Sequence, residues 1–172
     1  MGGAELIDKA RDDLRLALDM LEKGDIRDAA EKAWRSIENI RKALLVAVKI
    51  PYDIAKTVGS GVPLFSKILK ALGRRNLLRM YFYFESRLHS LGFCEMITPD
   101  DELEEIIRDE VPAWIEEMTK IIGSLVHVDL SHVAEIIRKM NRIKAEILRK
   151  SSEYIALSNK LNEKIAAMIS SK

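Results

Sequence analysis

Three histidines and one cysteine are the side chains of this sequence best suited to metal binding or proton transfer. His127 and His132 flank Asp129, but zinc requires about four convergent ligands and no further candidate stands near them. His89 lies near the end of a predicted helix, and we expect Cys94 to be a buried structural thiol. The segment GSGVP lacks the lysine and the hydroxyl residue of a phosphate-binding loop. We therefore predict no metal site, no cofactor and no standard catalytic site.

Charge is divided into blocks along the chain, although the formal net charge is only +1. Residues 64–92 carry six basic residues and one glutamate, residues 95–117 carry ten acids and one arginine, and residues 138–150 carry six basic residues and one glutamate. Two interpretations follow. Basic side chains, interleaved with the aromatic run at 81–84, could form a phosphate-binding surface, or acidic and basic helices could lie side by side and neutralise each other. We favour the second, because consecutive aromatic residues cannot all lie on one face. If the basic side chains do form a phosphate-binding surface, the candidate binding residues are Lys67, Lys70, Arg74, Arg75, Arg79, Arg138, Arg142 and Arg149.

Helical periodicity supplies the elements that must position these side chains. Apolar residues recur every three or four positions over residues 4–22 and again over residues 26–50, which is typical of amphipathic helices. Gly24 is placed to end the first helix and Asp25 to cap the second. Because their connection has only two residues, the helices are antiparallel neighbours. The sequence thus predicts a helical hairpin over residues 1–50.

The second helix of this hairpin sets small residues beside a tryptophan. Ala29, Ala30 and Ala33 allow the two backbones to approach closely. Trp34 can then fill the space at the edge of that contact. We interpret Trp34 as a packing residue rather than as a platform for a ligand.

The middle of the chain combines a loop with further helices. Residues 50–63, IPYDIAKTVGSGVP, contain two prolines and several small residues, and we expect a loop that has room for one helical turn. Central helices follow over residues 64–126, with an interruption at Gly73. Thr98 and the proline after it predict a helix start, and Pro112 predicts a break or bend in that helix.

The segment 131–170 contains no proline or glycine and holds a seven-residue apolar repeat. The repeat comprises Val133, Met140, Ile147, Tyr154, Leu161 and Met168. Ile136, Ile143 and Leu157 fill a companion seam beside this repeat, but Lys150 and Lys164 occupy it elsewhere. A simple dimeric coiled coil disfavours lysines at such positions. We predict one long C-terminal helix that contributes to a homodimer interface. The alternative is a break near residues 150–152, after which a short helix folds back.

Composition places further bounds on the protein. The 172 residues suffice for a single domain, and 48% hydrophobic with 32% charged residues is typical of globular proteins. No apolar run approaches the ~20 residues that span a bilayer, and one cysteine is consistent with the reducing cytoplasm. The absence of glutamine resembles the amino-acid usage of thermophiles. Because no segment alternates with a period of two, we predict an all-α, up-and-down antiparallel bundle in a cytoplasmic protein that does not contact membranes.

Two stretches of the sequence resemble the archaeal PaREP family of small helical proteins, which is grouped with the HEPN-like helical bundles. The first covers residues 10–44 and includes AAEKAW at 29–34; the second covers residues 85–118 and includes LHSLGFCE at 88–95. The resemblance implies an up-and-down helical bundle that forms a dimer, with no established activity for the family.

The resemblance to HEPN-like proteins also suggests functions. Some of them are ribonucleases with an arginine four to six residues before a histidine in one helix, whereas others are partner subunits of small nucleotidyltransferases or bind nucleotides. Here Arg79 and Arg87 stand ten and two residues before His89, so the nuclease pair is absent. We predict a non-enzymatic module that self-associates and binds a protein, such as a small nucleotidyltransferase, or a nucleic acid or nucleotide. The alternative is a nuclease or nucleotide-handling enzyme with a non-standard site at Glu85, Arg87 and His89.

Overall fold

The computed structural model describes residues 2–170, and the side chains of all of these except Ser60, Ser158, Asn159 and residues 161–170. Within that range every regular element is a helix and no strand is present, which confirms the all-α prediction. The α-helices are α1 (Gly3–Glu22), α2 (Ile26–Ala47), α3 (Tyr52–Ala55), α4 (Val58–Ala71), α5 (Arg75–Phe84), α6 (Asp100–Glu105), α7 (Val111–Ser124) and α8 (Ser131–Ser170). A first π-helical segment, Glu85–Cys94, continues α5, and a second, Ile106–Glu110, joins α6 to α7. None of the described helices combines the length and the apolar character needed to cross a bilayer.

α1 and α2 form the predicted helical hairpin. Gly24 has a φ of 76°, a left-handed conformation that glycine adopts without steric cost. Asp25 caps α2, since its side chain accepts a hydrogen bond from the backbone N–H of Asp28 at 3.4 Å. α2 ends at Ala47, three residues before the predicted end, because the chain turns at Lys49 with a φ of 67°. The hairpin buries small residues, namely Ala10, Ala17, Ala29, Ala30 and Ala33.

The prediction of a loop over residues 50–63 is wrong in its second half. The one-turn helix α3 is present, but α4 already begins at Val58 and contains both glycines and the second proline of the segment. Gly61 is required by a close approach: an added Cβ would lie 2.6 Å from Nη1 of Arg41 and nearer still to the carbonyl oxygen of Ala55. This glycine therefore marks tight packing inside a helix and not a turn.

The central helices are interrupted where the sequence predicts, although the geometry differs. α4 and α5 are separated at Gly73, which has a φ of 72°. The predicted bend near Pro112 takes the form of the second π-helical segment, and the proline itself lies in the first turn of α7, where it is tolerated. Thr98 is not the predicted cap, because its hydroxyl donates to the carbonyl oxygen of Arg87 at 3.0 Å and Pro99 directly precedes α6.

The chain divides into two compact units, Met1–Ser131 and His132–Lys172. The first contains α1 to α7, and the second is formed by α8. α8 is helical through residues 150–152, so the predicted single long helix is confirmed and the alternative break is wrong. Its 40 residues make it about 60 Å long at 1.5 Å per residue. The assignment of the whole chain to one domain stays a prediction.

Candidate functional site

A pocket of about 410 Å³ opens in the unit Met1–Ser131. Four helical elements line it. Its lining residues are Trp34 and Glu38 from α2, Val58 and Val62 from α4, Tyr81 and Phe82 from α5, and Glu85 and His89 from the first π-helical segment. Pockets of this size, with apolar and aromatic walls and a few polar groups, are typical of small-molecule sites. We therefore take it as the candidate site of this unit.

A buried ion pair lies behind one wall of the pocket. Arg41 is completely buried and donates to Glu38 twice, from Nε to Oε1 at 2.7 Å and from Nη2 to Oε2 at 2.9 Å. Nη1 of Arg41 donates to the carbonyl oxygen of Ala55 at 2.8 Å. The hydroxyl of Tyr81 donates to Oε1 of Glu38 at 2.7 Å. The carboxylate of Glu38 thus accepts three hydrogen bonds from protein groups, and Arg41 balances its charge.

This network fixes the protonation states of its members. Burial by itself would raise the pKa of Glu38, but the hydrogen bonds and charge of Arg41 and the hydrogen bond from Tyr81 hold that pKa below its ordinary value of 4.5. Burial, together with the charge of Glu38, raises the pKa of Tyr81 far above its ordinary value. Glu38 is therefore ionised and Tyr81 protonated at neutral pH, so both serve as fixed structural groups.

An aromatic stack joins α2 to the first π-helical segment. The ring of His89 lies parallel to Trp34, with centroids 5.9 Å apart, and to Phe93 at 6.4 Å. Arg27 covers the ring of Phe93, with 5.1 Å between the guanidinium carbon and the ring centroid, and donates to the Phe93 carbonyl oxygen. Nδ1 of His89 lies 3.2 Å from Oε2 of Glu31. Trp34 is buried, as the packing interpretation requires, but it also lines the pocket.

The π-helical geometry of residues 85–94 was not expected from the sequence. π-helical turns are rare and often occur at functional sites. A Cβ at Gly92 would lie only 2.5 Å from the carbonyl oxygen of Arg87, five residues earlier, and 3.0 Å from Cδ2 of Leu103. Glycine permits this approach, and it is the one sequence signal that could have indicated the irregular turn.

The alternative catalytic residues are only partly brought together. Glu85 and His89 both line the pocket. Arg87 does not line it, and its Nε lies 3.2 Å from Oε1 of Glu102. Of the side chains that the structure describes, no lysine or arginine lines the pocket. The described part of the wall therefore offers carboxylates and an imidazole, but no lysine or arginine for a phosphate.

The basic residues of the central block lie on the surface, and two of its arginines contact the acidic block. Nη1 of Arg74 lies 3.7 Å from Glu117, and Arg87 pairs with Glu102 as above. These contacts favour the interpretation in which neighbouring helices neutralise each other. The remaining candidate residues of the block, Lys67, Lys70, Arg75 and Arg79, are exposed, as are Arg138, Arg142 and Arg149 of α8. Whether any of them binds a phosphate stays a prediction.

The other sequence candidates behave differently. Cys94 is exposed, so the expectation of a buried thiol is wrong; it stands at the end of the first π-helical segment, where the chain leaves the core. His127 and His132 are exposed as well. Over the part of the chain that the structure describes, no cluster of histidine, cysteine and acidic residues could hold a metal ion. Tyr81 and Phe84 point into the core, which agrees with the expectation that the four consecutive aromatic residues cannot share one face.

A second candidate surface runs along α8. Eight of its large apolar side chains are about half to three quarters exposed among the described residues. The exposed set consists of Ile136, Met140, Ile143, Ile147, Leu148, Tyr154, Ile155 and Leu157. Six of the eight occupy the predicted seven-residue repeat and its companion seam. Contiguous apolar surface of this kind marks interaction sites in folded proteins.

Comparison with known proteins gives a family match that covers the pocket but not the apolar surface of α8. Residues 5–110 match the model of the archaeal PaREP1/PaREP8 family, which is more than half of the chain. The match includes every residue that lines the pocket and ends before α7 and α8. No curated protein and no solved structure matches the chain.

Proposed function

This chain belongs to the archaeal PaREP1/PaREP8 family, and we propose that it is a non-enzymatic helical module that self-associates through α8. The observation that carries the proposal is the exposed apolar face of an uninterrupted helix. Met140 is 61% exposed and Ile147 58% exposed, although side chains of this type are normally covered. Covering such a face is favourable by roughly 25 cal/mol for each Å² of apolar surface removed from water.

A second copy of α8 is the occupant that the pattern fits best. The apolar residues recur with the seven-residue spacing that two paired helices require, and a symmetric dimer places the same face on both partners. Lys150 interrupts the companion seam, but its Nζ lies 3.1 Å from Oε1 of Glu146 on the same helix. Its charge is therefore compensated within α8, and its long side chain can leave the seam, which reduces the objection to pairing.

We further propose that the α1–α7 unit is HEPN-like and that the dimer presents it to a protein partner, of which a small nucleotidyltransferase is one candidate. The antiparallel hairpin and the helical core support a bundle of this type. A nucleic-acid or nucleotide partner is less well supported, because the arginines at 74 and 87 are paired with acids. Residual affinity of the exposed lysines for nucleic acid would be non-specific and would fade with rising salt.

One observation favours an enzymatic role as the second candidate: Glu85 and His89 line the same pocket. A nuclease or nucleotide-handling site would also require positive charge near the phosphate. Arg87 is engaged with Glu102, and the described lining contains carboxylates in place of cations. These contacts favour binding over phosphate chemistry. Ribonuclease activity that is lost in His89→Ala would overturn this choice.

Light scattering of the full chain with matched charge variants tests the proposal. Ile143→Lys places a charge in the companion seam of α8, whereas Ala145→Lys places the same charge two residues away, on the opposite side of the helix. We expect the wild type and Ala145→Lys to have a mass above the 19.6 kDa of one chain, and Ile143→Lys to approach it. A wild type that remains monomeric at high concentration, or two variants that behave alike, would contradict self-association through this face.

A further inference from the structure

The pocket of the unit Met1–Ser131 combines aromatic walls with a negative charge. Trp34, Tyr81, Phe82 and His89 contribute four rings to its lining. Phe82 is 45% exposed, so its ring is available to a ligand, whereas Tyr81 is held by its hydrogen bond to Glu38. The faces of aromatic rings carry negative electrostatic potential and attract cations.

Glu85 supplies the unbalanced charge of this pocket. Its Oε1 accepts a hydrogen bond from Oγ of Ser90 at 3.3 Å. Among the described side chains, no lysine, arginine or histidine lies within ion-pair distance of it. Glu38, the second carboxylate of the lining, is neutralised by Arg41, as described above. One carboxylate thus faces an aromatic pocket without a positive partner.

We propose that this pocket binds a small organic cation with a flat or apolar body, such as an amidinium, guanidinium or alkylammonium compound. Glu85 would accept hydrogen bonds from the cationic group, and the rings of Trp34 and Phe82 would contact the ligand body. Charge-assisted hydrogen bonds of this type are stronger than neutral ones. Because Glu85 is negatively charged and no lysine or arginine of the described residues lines the pocket, we expect a phosphate-bearing ligand to be disfavoured. The inference concerns the α1–α7 unit alone and does not rest on self-association through α8.

A pair of nearly isosteric probes separates charge from shape. Benzamidine carries a planar amidinium on an aromatic ring, and benzamide is its neutral counterpart. We expect benzamidine to bind the full-length protein saturably in isothermal titration calorimetry, about tenfold or more tightly than benzamide, because the charged amidinium makes stronger hydrogen bonds to a carboxylate than a neutral amide does. Adenosine monophosphate serves as the phosphate-bearing probe and should not compete.

Two variants with a matched control assign the binding to the pocket. Glu85→Gln keeps the shape of the side chain and should remove most of the preference for benzamidine over benzamide. Glu95→Gln removes an equal charge from an exposed residue outside the pocket lining and should leave that preference unchanged. Phe82→Leu keeps apolar bulk without the ring and should weaken benzamidine binding even if Glu85→Gln fails to fold.

Four results would overturn the proposal: no saturable binding of benzamidine, equal affinity for the two probes, an unchanged preference in Glu85→Gln, or displacement of benzamidine by adenosine monophosphate. The last would revive a nucleotide site. Each of these binding results can be obtained whether the protein is monomeric or dimeric. Failure of the ligand-binding proposal is therefore distinct from failure of the proposed self-association.

Discussion

α2 and α8 are both amphipathic helices with isoleucine-rich stripes, but their surroundings differ completely. Ile37 and Ile40 of α2 are fully buried between neighbouring helices, whereas Ile143 and Ile147 of α8 are 49% and 58% exposed. Arg41 of α2 is fully buried, whereas the lysines and arginines of α8 whose side chains the structure describes are exposed. The same residue types therefore hold the fold in one helix and remain available for a partner in the other.

The largest expected difference between the two helices concerns their ion pairs. Arg41→Leu would leave Glu38 without its main partner in a buried setting, and we expect a loss of about 3–5 kcal/mol in the free energy of unfolding. Lys150→Ala breaks the pair with Glu146 on α8, where both side chains are more than half exposed, and should cost less than about 0.5 kcal/mol. Urea denaturation of both variants measures the contrast, and similar small losses would show that the α2 pair is not protected from water.

Isoleucine truncation sharpens the same comparison. Ile40→Ala removes fully buried methyl groups and should lower the free energy of unfolding by about 2–5 kcal/mol. Ile143→Ala should change it by less than about 0.5 kcal/mol in dilute solution but should weaken association. Thermal melts at low and high protein concentration would distinguish the two effects. An Ile143→Ala loss as large as that of Ile40→Ala at low concentration would mean that this face is already covered within one chain.

Two glycines of α4 test how closely the first unit is packed. Gly61→Ala forces a Cβ against Arg41 and the carbonyl oxygen of Ala55, and we expect a loss of about 1–3 kcal/mol. Gly59→Ala is the matched control on the same helix, since no described atom beyond its chain neighbours and the backbone of the helix lies within 4 Å of the added Cβ. It should be neutral or stabilise the helix by up to about 1 kcal/mol. Equal effects of the two substitutions in urea denaturation would rule out the tight contact.

The smallest expected effect is a pH dependence that belongs to α2. The pKa of Glu38 is lower in the folded chain than its ordinary value of 4.5, so the folded state binds fewer protons at this group than the unfolded state does. Its stabilising contribution is complete above pH 4.5 and is lost as the pH falls through the lowered pKa. The difference in the free energy of unfolding between wild type and Glu38→Gln should therefore become smaller in acid. Glu153→Gln, on exposed α8, should show no comparable difference from wild type. If the difference in unfolding free energy between wild type and Glu38→Gln stayed constant with pH, this would contradict an ionised pair between Glu38 and Arg41.

Several features of the fold followed from local sequence signals. Helix ends are marked by Gly24, Asp25 and Gly73, because the conformation or cap at each of them depends only on the neighbouring backbone. The repeat at 131–170 indicates one helix, because it contains no proline or glycine. The helical hairpin and the all-α class rest on such signals. They act over a few residues, and a single sequence displays them directly.

The candidate site depended instead on contacts between distant parts of the chain. Arg41 stands three residues after Glu38, a spacing that is equally common in exposed pairs, and only packing against α3 and α4 buries it. Gly61 is a residue type that is typical of turns, but here it lies inside α4 and permits close packing against Arg41 and Ala55. The pocket itself forms only because Trp34 and Glu85, which are about fifty residues apart in the sequence, lie close together in the fold. No local sequence pattern predicts that contact.

The central claim is that the exposed face of α8 is completed by a second copy of the chain. Sedimentation equilibrium of the unmodified protein, from low to high micromolar concentration, tests it most directly. We predict that the weight-average mass rises from 19.6 kDa towards twice that value with increasing concentration. A mass that stays at 19.6 kDa throughout would contradict self-association and leave the face of α8 to a different partner.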